Sequence, residues 1–222
     1  ESISDVVTIL REARLRTKFR KQNVSPLIKD PIALVSAEWM ATRFDINVIV
    51  MVRHPAAFVA SMKRLGWPFR AHNWALTQAS LLRDYLEPFR AELEDLDRNQ
   101  RDVVDQASLL WKVLTYITFK YQERHADWIF LRHEDISADP VNGFKTLYQK
   151  LGLNFTPEIH ETVFNHSQST NPSAAQGNDI LYKLNSQENI KAWKKRLSSS
   201  EVERIRYNVE PISSRYYADS EW

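Results

Sequence analysis

The sequence predicts an α/β protein with a parallel sheet that helices cover on both faces. Residues 46–52 and 128–132 are mostly apolar or β-branched, as in strands buried on both faces of a parallel sheet. Helical patterns lie between and around these segments, and strands that alternate with helices are typical of α/β folds. The chain has 222 residues, 43% of them hydrophobic, which is enough to bury one sizeable core. We therefore expect residues 1–222 to form a single domain.

Helices and strands alternate in the first third of the chain. Residues 3–21 place apolar side chains at helical spacing among charged ones, which predicts an amphipathic helix. Residues 25–29 predict a short strand, and Pro31 suits the first turn of a helix that continues to about Phe44. Pro55 begins a helix after the strand at 46–52, and Gly66 is well placed to end it.

The rest of the chain is predicted to be mainly helical, with one further strand. Residues 65–73 show little periodicity and predict a loop, as do the polar residues 167–176. The strand at 128–132 follows the longest predicted helix. Predicted helices cover residues 74–85, 88–96, 103–125, 140–151, 189–196 and 201–208.

Composition excludes several classes of function. The formal net charge is +2, so the overall electrostatic field is weak and nucleic-acid binding is not expected. The longest apolar runs, such as residues 48–52, are far shorter than the ~20 residues that cross a bilayer, so we expect no membrane span. The absence of cysteine removes disulfides and thiolate chemistry and fits a reducing compartment, so we expect a cytoplasmic protein. His160 and His166 lack a matching carboxylate pattern, and no metal site is expected.

Charged side chains follow all three predicted strands, at residues 29–30, 53–54 and 133–135. Ligands of open parallel sheets bind at the carboxyl ends of the strands. The Arg53 guanidinium can present parallel donors to two oxygens of one phosphate. Ser61 lies about two helical turns into the next helix, on the side nearest the strand end. Together they predict a phosphate site, while an ion pair for Arg53 and simple packing for Ser61 remain the alternatives.

A longer stretch around Arg53 resembles a known family. Residues 49–55, Ile-Val-Met-Val-Arg-His-Pro, with Phe58, Val59 and Ser61, resemble the 3′-phosphate-binding strand and helix of sulfotransferases that use 3′-phosphoadenosine 5′-phosphosulfate (PAPS). Three further segments resemble the same family in the same order. They are the lysine-bearing strand at 26–31, the strand and acidic turn at 129–135, and the closing tryptophan segment at 189–201. Within that family, the chain most resembles the bacterial and carbohydrate sulfotransferases.

The resemblance implies a P-loop-NTPase-like parallel sheet flanked by helices, in one sulfotransferase-like domain. It implies PAPS as the sulfuryl donor, 3′-phosphoadenosine 5′-phosphate (PAP) as the product, and a hydroxyl on a small molecule or carbohydrate as the acceptor. Arg53 and Ser61 would then hold the 3′-phosphate. The segment from Ser186 to Trp193 would fold over the same sheet edge and close the nucleotide site.

Lys29 and Asp30 are the candidate catalytic residues. Sulfuryl transfer should resemble phosphoryl transfer, in which a cation stabilises the charge that grows on the leaving oxygen. Lys29 can supply that cation, or it is an ordinary surface lysine. Asp30 is the preferred base for the acceptor hydroxyl, with a helix cap as its structural alternative and His54, His72 and Glu134 as other candidate bases.

One element of the family pattern does not occur within the 222 residues. Members carry a Ser-Gly-Thr-Thr type of loop whose backbone amides hold the 5′-phosphosulfate. We expect that loop and its amino-terminal strand to lie upstream of Glu1. The alternative function is a non-catalytic relative or fragment that keeps a site for PAP or phosphate.

Overall fold

The computed structural model of the protein describes residues 27–30, 32–99, 101–173 and 183–222. The chain divides into two units, Glu1–Ala33 and Leu34–Trp222. In the first unit the described residues are irregular up to the start of a 3₁₀ turn at Ala33–Ser36. The amphipathic helix predicted at residues 3–21 lies outside the described residues. The prediction of a single domain stays a prediction.

The second unit contains a two-stranded parallel sheet. Strand β1 is Ile49–Val52 and strand β2 is Ile129–Arg132, paired from Ile49 opposite Ile129 to Val52 opposite Arg132. The parallel pairing of these two predicted strands is confirmed. Since both strands end at the same edge, the residues that follow them are neighbours. The P-loop-like character of the sheet stays a prediction.

Two details of the predicted sheet are wrong for the described residues. Residues 27–29, the described part of the segment predicted as a first strand at 25–29, are not in a strand, and Leu27 is 84% exposed. Within β1, Val50 and Val52 are buried whereas Met51 is 51% exposed. Successive side chains point to opposite faces, so the described helices cover only the face that carries the two valines.

Most of the described chain is helical, and most helices begin at the predicted signals. Pro55 occupies the first turn of the helix after β1, and Gly66 ends it with φ 62°. The helices are α1 Ala37–Arg43, α2 Pro55–Leu65, α3 Arg90–Asn99, α4 Val103–Arg124, α5 His133–Ala138, α6 Pro140–Lys150, α7 Pro157–Ser167, α8 Ser186–Ile190 and α9 Ser199–Val209.

Residues 72–89 differ from the predicted loop and regular helix. They form π turns at His72–Leu76 and Leu82–Leu86, a short helix Ala79–Leu81 and a 3₁₀ turn Glu87–Phe89. Gln78 interrupts the helix, because its side-chain amide donates to the Trp74 carbonyl at 2.7 Å. Side chains that bond to nearby backbone compete with regular helical bonding in this way. Further 3₁₀ turns lie at Ala192–Lys195, Ser213–Arg215 and Asp219–Glu221.

Two apolar clusters meet at the sheet. Val50 belongs to the first, with the middle of α4 and the turns of residues 72–89. Val52 belongs to the second, which gathers α2, the start of α4, α9 and the tail residue Trp193. The carboxyl end of β1 is therefore enclosed by α2, α4 and the carboxy-terminal tail. Among the described helices, none has both the length and the apolar character to span a membrane.

Candidate anion-binding site

Arg53 is the first residue after β1, and its backbone is fixed by the core. The indole N–H of Trp111 on α4 donates to the Arg53 carbonyl at 2.7 Å. The Arg53 Nε is buried and has no hydrogen-bond partner among the described residues. A buried donor without a partner is costly unless a ligand or water satisfies it. Arg53 therefore presents an unused donor at the carboxyl end of a parallel strand.

The carboxylate whose charge acts most strongly on Arg53 is that of Glu134, and it already accepts hydrogen bonds from neutral donors. Glu134 on α5 is buried, and its two oxygens accept from the His54 backbone N–H at 2.9 Å and the Tyr217 hydroxyl at 3.0 Å. Burial, with Glu134 adding to it, raises the pKa of Tyr217 well above its ordinary value, so the phenol stays a donor. In the described part of the chain, no carboxylate forms an ion pair with Arg53.

The charges of two other arginines act on the Arg53 guanidinium. Burial lowers the pKa of Arg53 below its ordinary value; the charges of Glu134 and Tyr217 oppose this shift, and those of Arg196 and Arg64 add to it. Arginine stays charged in proteins even so. The guanidinium of half-buried Arg53 thus has a buried Nε and other arginines among its charged neighbours, which is the electrostatic character of an anion site.

Ser61 lies on the helix face that leads towards this cluster. Ala57, Ser61 and Arg64 are spaced i, i+4 and i+7 on α2, so they share one face. Ala57 is buried, Ser61 is half-buried and Arg64 is exposed. This order places a hydroxyl between the strand end and a second guanidinium.

His54 is a buried neutral cap of α2. Its Nδ1 accepts from the Ala56 N–H at 3.3 Å, and its ring stacks on Trp193 with centroids 5.1 Å apart. Burial lowers the pKa of His54 to about 4, with Lys194 and Arg132 acting the same way and Glu221 opposing. The ring is 2% exposed, so its position favours a structural role over that of a base.

Trp193 lies at the sheet edge where the tail was predicted to fold back. Its ring is buried between His54 and the apolar cluster, with the Lys194 Nζ 5.0 Å from the ring centroid. The Trp193 carbonyl accepts from the Arg196 N–H at 2.9 Å. Trp193 thus lies beside His54, the residue after Arg53, and its contact with a nucleotide stays a prediction. Its contacts are those of a residue that holds the turn carrying Arg196.

Ser186 is engaged elsewhere in the tail. Its hydroxyl donates to the Ser167 carbonyl at 3.2 Å, and Asn185 caps the short helix α8. Helix α8 packs against α5, where Gln187 donates to the Ala138 carbonyl at 3.1 Å. The described hydrogen bond of Ser186 links the tail to the end of α7, and a nucleotide contact for it stays a prediction.

Lys29 and Asp30 belong to the first unit, and both are exposed. The Asp30 carboxylate accepts from the Ile32 N–H at 2.8 Å. That bond is the one expected from the capping alternative, in which Asp30 starts the following turn. Their catalytic roles stay predictions.

Sequence reasoning missed two members of the cluster, Arg64 and Arg196, and named His133 only within the polar group 133–135 that follows the second strand. Arg64 could have been found from the sequence, because it follows Ser61 by three residues and so lies on the same helix face. Arg196 comes from the tail, and its approach to Arg53 depends on long-range packing. His133 carried a signal in the strand alignment, since it follows β2 as Arg53 follows β1.

Two open cavities lie away from this cluster. One of about 260 Å³ lies between α5 and α6 and includes Asp135 and Lys150 in its lining. The other, of about 760 Å³, runs along α9 and includes Lys112 and Tyr207. Neither is lined by Arg53 or Ser61, so we place the site on the unpaired guanidinium and its charge environment rather than on cavity size. In the described residues, no group of three or more His, Asp or Glu side chains could hold a metal ion.

Comparison with known proteins gives distant relatives of one kind. No family model matches the chain, and no solved structure matches it. Carbohydrate sulfotransferase 3 from Mus musculus is 22% identical over 190 residues, which are 83% of this chain and 33% of that protein. Carbohydrate sulfotransferase 6 from Homo sapiens is 20% identical over 197 residues, 89% of this chain and 44% of that protein. The distant similarity indicates a sulfotransferase-like chain. The chain spans only 33% to 44% of the lengths of these two relatives.

Proposed function

We propose that this chain is the donor-binding part of a sulfotransferase that moves a sulfuryl group from PAPS to an acceptor hydroxyl. The observation that carries the proposal is the buried Nε of Arg53 at the carboxyl end of β1, which has no partner among the described residues. An anion with several oxygens satisfies such a group by charge-assisted hydrogen bonds. The relatives named above point to the same chemistry.

The residues present fit the 3′-phosphate of PAPS or PAP. Arg53 would bind the phosphate, Ser61 would add a hydroxyl donor, and Arg64 and Arg196 would add positive charge around it. Glu134 and Trp111 would hold the Arg53 backbone region in place without neutralising the guanidinium. When bound, PAPS supplies the activated sulfuryl group.

The acceptor is proposed to be a carbohydrate hydroxyl, because the relatives are named as carbohydrate sulfotransferases. Lys29 would stabilise the charge on the leaving side, and Asp30 would take the acceptor proton. The bond from the Asp30 carboxylate to the Ile32 N–H favours a second candidate function. In that function the chain binds PAP or phosphate without catalysing transfer, and Asp30 acts only as a cap.

Calorimetric titration of the full chain tests the proposal. PAP should bind more tightly than adenosine 5′-phosphosulfate, which lacks the 3′-phosphate, and Arg53→Ala should abolish most of that preference. Arg98→Ala removes an exposed arginine on α3 and is the matched control, for which the preference should persist. An unchanged preference in Arg53→Ala contradicts the proposal.

A transfer assay separates the two candidate functions. Radiolabelled PAPS is incubated with the full chain and a panel of hydroxylated carbohydrates, and Lys29→Met is compared with wild type. Transfer that is lost in Lys29→Met supports the enzyme. Tight PAP binding with no transfer to any acceptor supports the non-catalytic alternative.

A further inference from the structure

His133 and Arg53 occupy equivalent places at the ends of the two strands. The parallel register ends with Val52 opposite Arg132, so the next residues, Arg53 and His133, leave the sheet side by side. His133 also begins α5, which contains Glu134. The register therefore places the backbones of His133 and Arg53 side by side, and the charge of Arg53 acts on the His133 ring.

The His133 ring has only weak partners. Its Nδ1 is 3.8 Å from the nearest Glu134 oxygen, and the Ser137 hydroxyl is 3.4 Å from Nε2. Both Glu134 oxygens already accept shorter bonds from other donors. Burial lowers the pKa of His133 from its ordinary value of 6.5, the charge of Arg53 lowers it further, and Glu134 opposes them. The ring is therefore neutral at pH 7.

The other charged groups near α5 lie at the surface or are paired. The packed elements α6 and α8 contribute Lys145, Lys150 and Glu188, all of which are exposed. Asp135 on α5 is exposed and pairs with Arg132, which also pairs with Glu221. Arg53 and Glu134 are thus the charges that govern His133 in the described part of the chain.

We propose that His133 takes up a proton from solvent when a phosphate dianion binds at Arg53, and that the resulting imidazolium adds a second positive charge beside the guanidinium. This inference rests on the proposed function, because PAP is the phosphate carrier used to test it. In the free protein Arg53 repels a proton from His133. A bound dianion outweighs that repulsion, since an opposite charge within about 4–6 Å raises a histidine pKa by roughly 1–3 units.

The expected size of the effect follows from linkage. A rise of about 1–1.5 units in the pKa of His133 gives an uptake of about 0.5–0.7 proton per PAP at the pH midway between the free and bound values. The histidine-dependent part of PAP affinity then falls by about 10–30-fold as the pH rises through that window. The 3′-phosphate titrates near pH 6 itself, so the histidine must be isolated by comparing variants.

The experiment is calorimetry of PAP binding to the full chain between pH 5 and 8, in buffers with different enthalpies of ionisation. Wild type should take up about 0.5 proton more per PAP than His133→Gln near the midpoint. His160→Gln removes an exposed histidine on α7 and should match wild type. Equal uptake by wild type and His133→Gln overturns the inference.

A second measurement is made on the wild-type protein and does not depend on the behaviour of a variant. The pKa of the His133 ring, followed by NMR in wild type, should rise by about 1–1.5 units when saturating PAP is added. An unchanged pKa with PAP bound overturns the inference and leaves the proposed function standing. Failure of wild type to bind PAP at any pH contradicts the proposed function and the inference together.

Discussion

Acid destabilises this protein through His54, the buried ring that caps α2. The pKa of His54 is about 4 in the folded chain and 6.5 when the ring is free. Because the folded value is the lower one, the unfolded state binds more protons between these values. The free energy of unfolding therefore falls as the pH falls from about 7 through 4. At pH 5 the unfolded histidine is almost fully protonated and the folded one is mostly neutral, which costs about 2 kcal/mol relative to pH 8.

The assay is urea unfolding followed by the fluorescence of the seven tryptophans, at pH 8, 7, 6 and 5. The variant is His54→Asn, which keeps a capping acceptor and does not titrate. It is expected to be less stable than wild type at pH 8, because it loses the stacking on Trp193. Its stability should fall by about 2 kcal/mol less than wild type between pH 8 and 5. His160→Gln should keep the wild-type pH dependence, and parallel curves for wild type and His54→Asn would refute the reasoning.

Three further predictions concern the same region. Arg53→Ala should weaken PAP binding by about 1.5–3 kcal/mol and Ser61→Ala by about 0.5–1.5 kcal/mol in calorimetry, and a larger effect of the serine would contradict the site. Tyr217→Phe should lower the free energy of unfolding by about 1–3 kcal/mol, because it leaves a buried Glu134 oxygen without its donor; an unchanged urea midpoint would show that this bond contributes nothing. Gly66→Ala should lower the free energy of unfolding by about 1 kcal/mol, because its φ of 62° is strained for a side chain although nothing lies within 4 Å of the added carbon; a stabilised variant would contradict that reason.

Local signals in the sequence predicted the frame of the site. The apolar runs before Arg53 and His133 gave two strands whose parallel pairing follows from the helices between them. Pro55 and Gly66 marked the bounds of α2 because each residue has one strong backbone preference. These features depend on neighbours in the chain, so the sequence contains enough information to predict them.

The environment of Arg53 depends on contacts that no local pattern encodes. Met51 is exposed although it lies within an apolar run. Such a run alone therefore does not show whether helices cover one face of the strand or both faces. Trp193 packs its ring on His54 and supports the turn that carries Arg196, a position that depends on long-range packing, while its expected nucleotide contact stays a prediction. Both outcomes follow from which elements meet in three dimensions, and residues far apart in sequence decide that.

The Glu134 carboxylate joins three segments that are made at widely separated times during synthesis. Its partners His54 and Tyr217 are 80 residues before it and 83 residues after it. Closing loops of that length costs conformational entropy before any contact is gained, which slows folding. Tyr217 must therefore be synthesised, 83 residues after Glu134, before the strand end with Arg53 can reach its final surroundings. In a refolding experiment, phosphate binding would then appear late, after most of the helical signal.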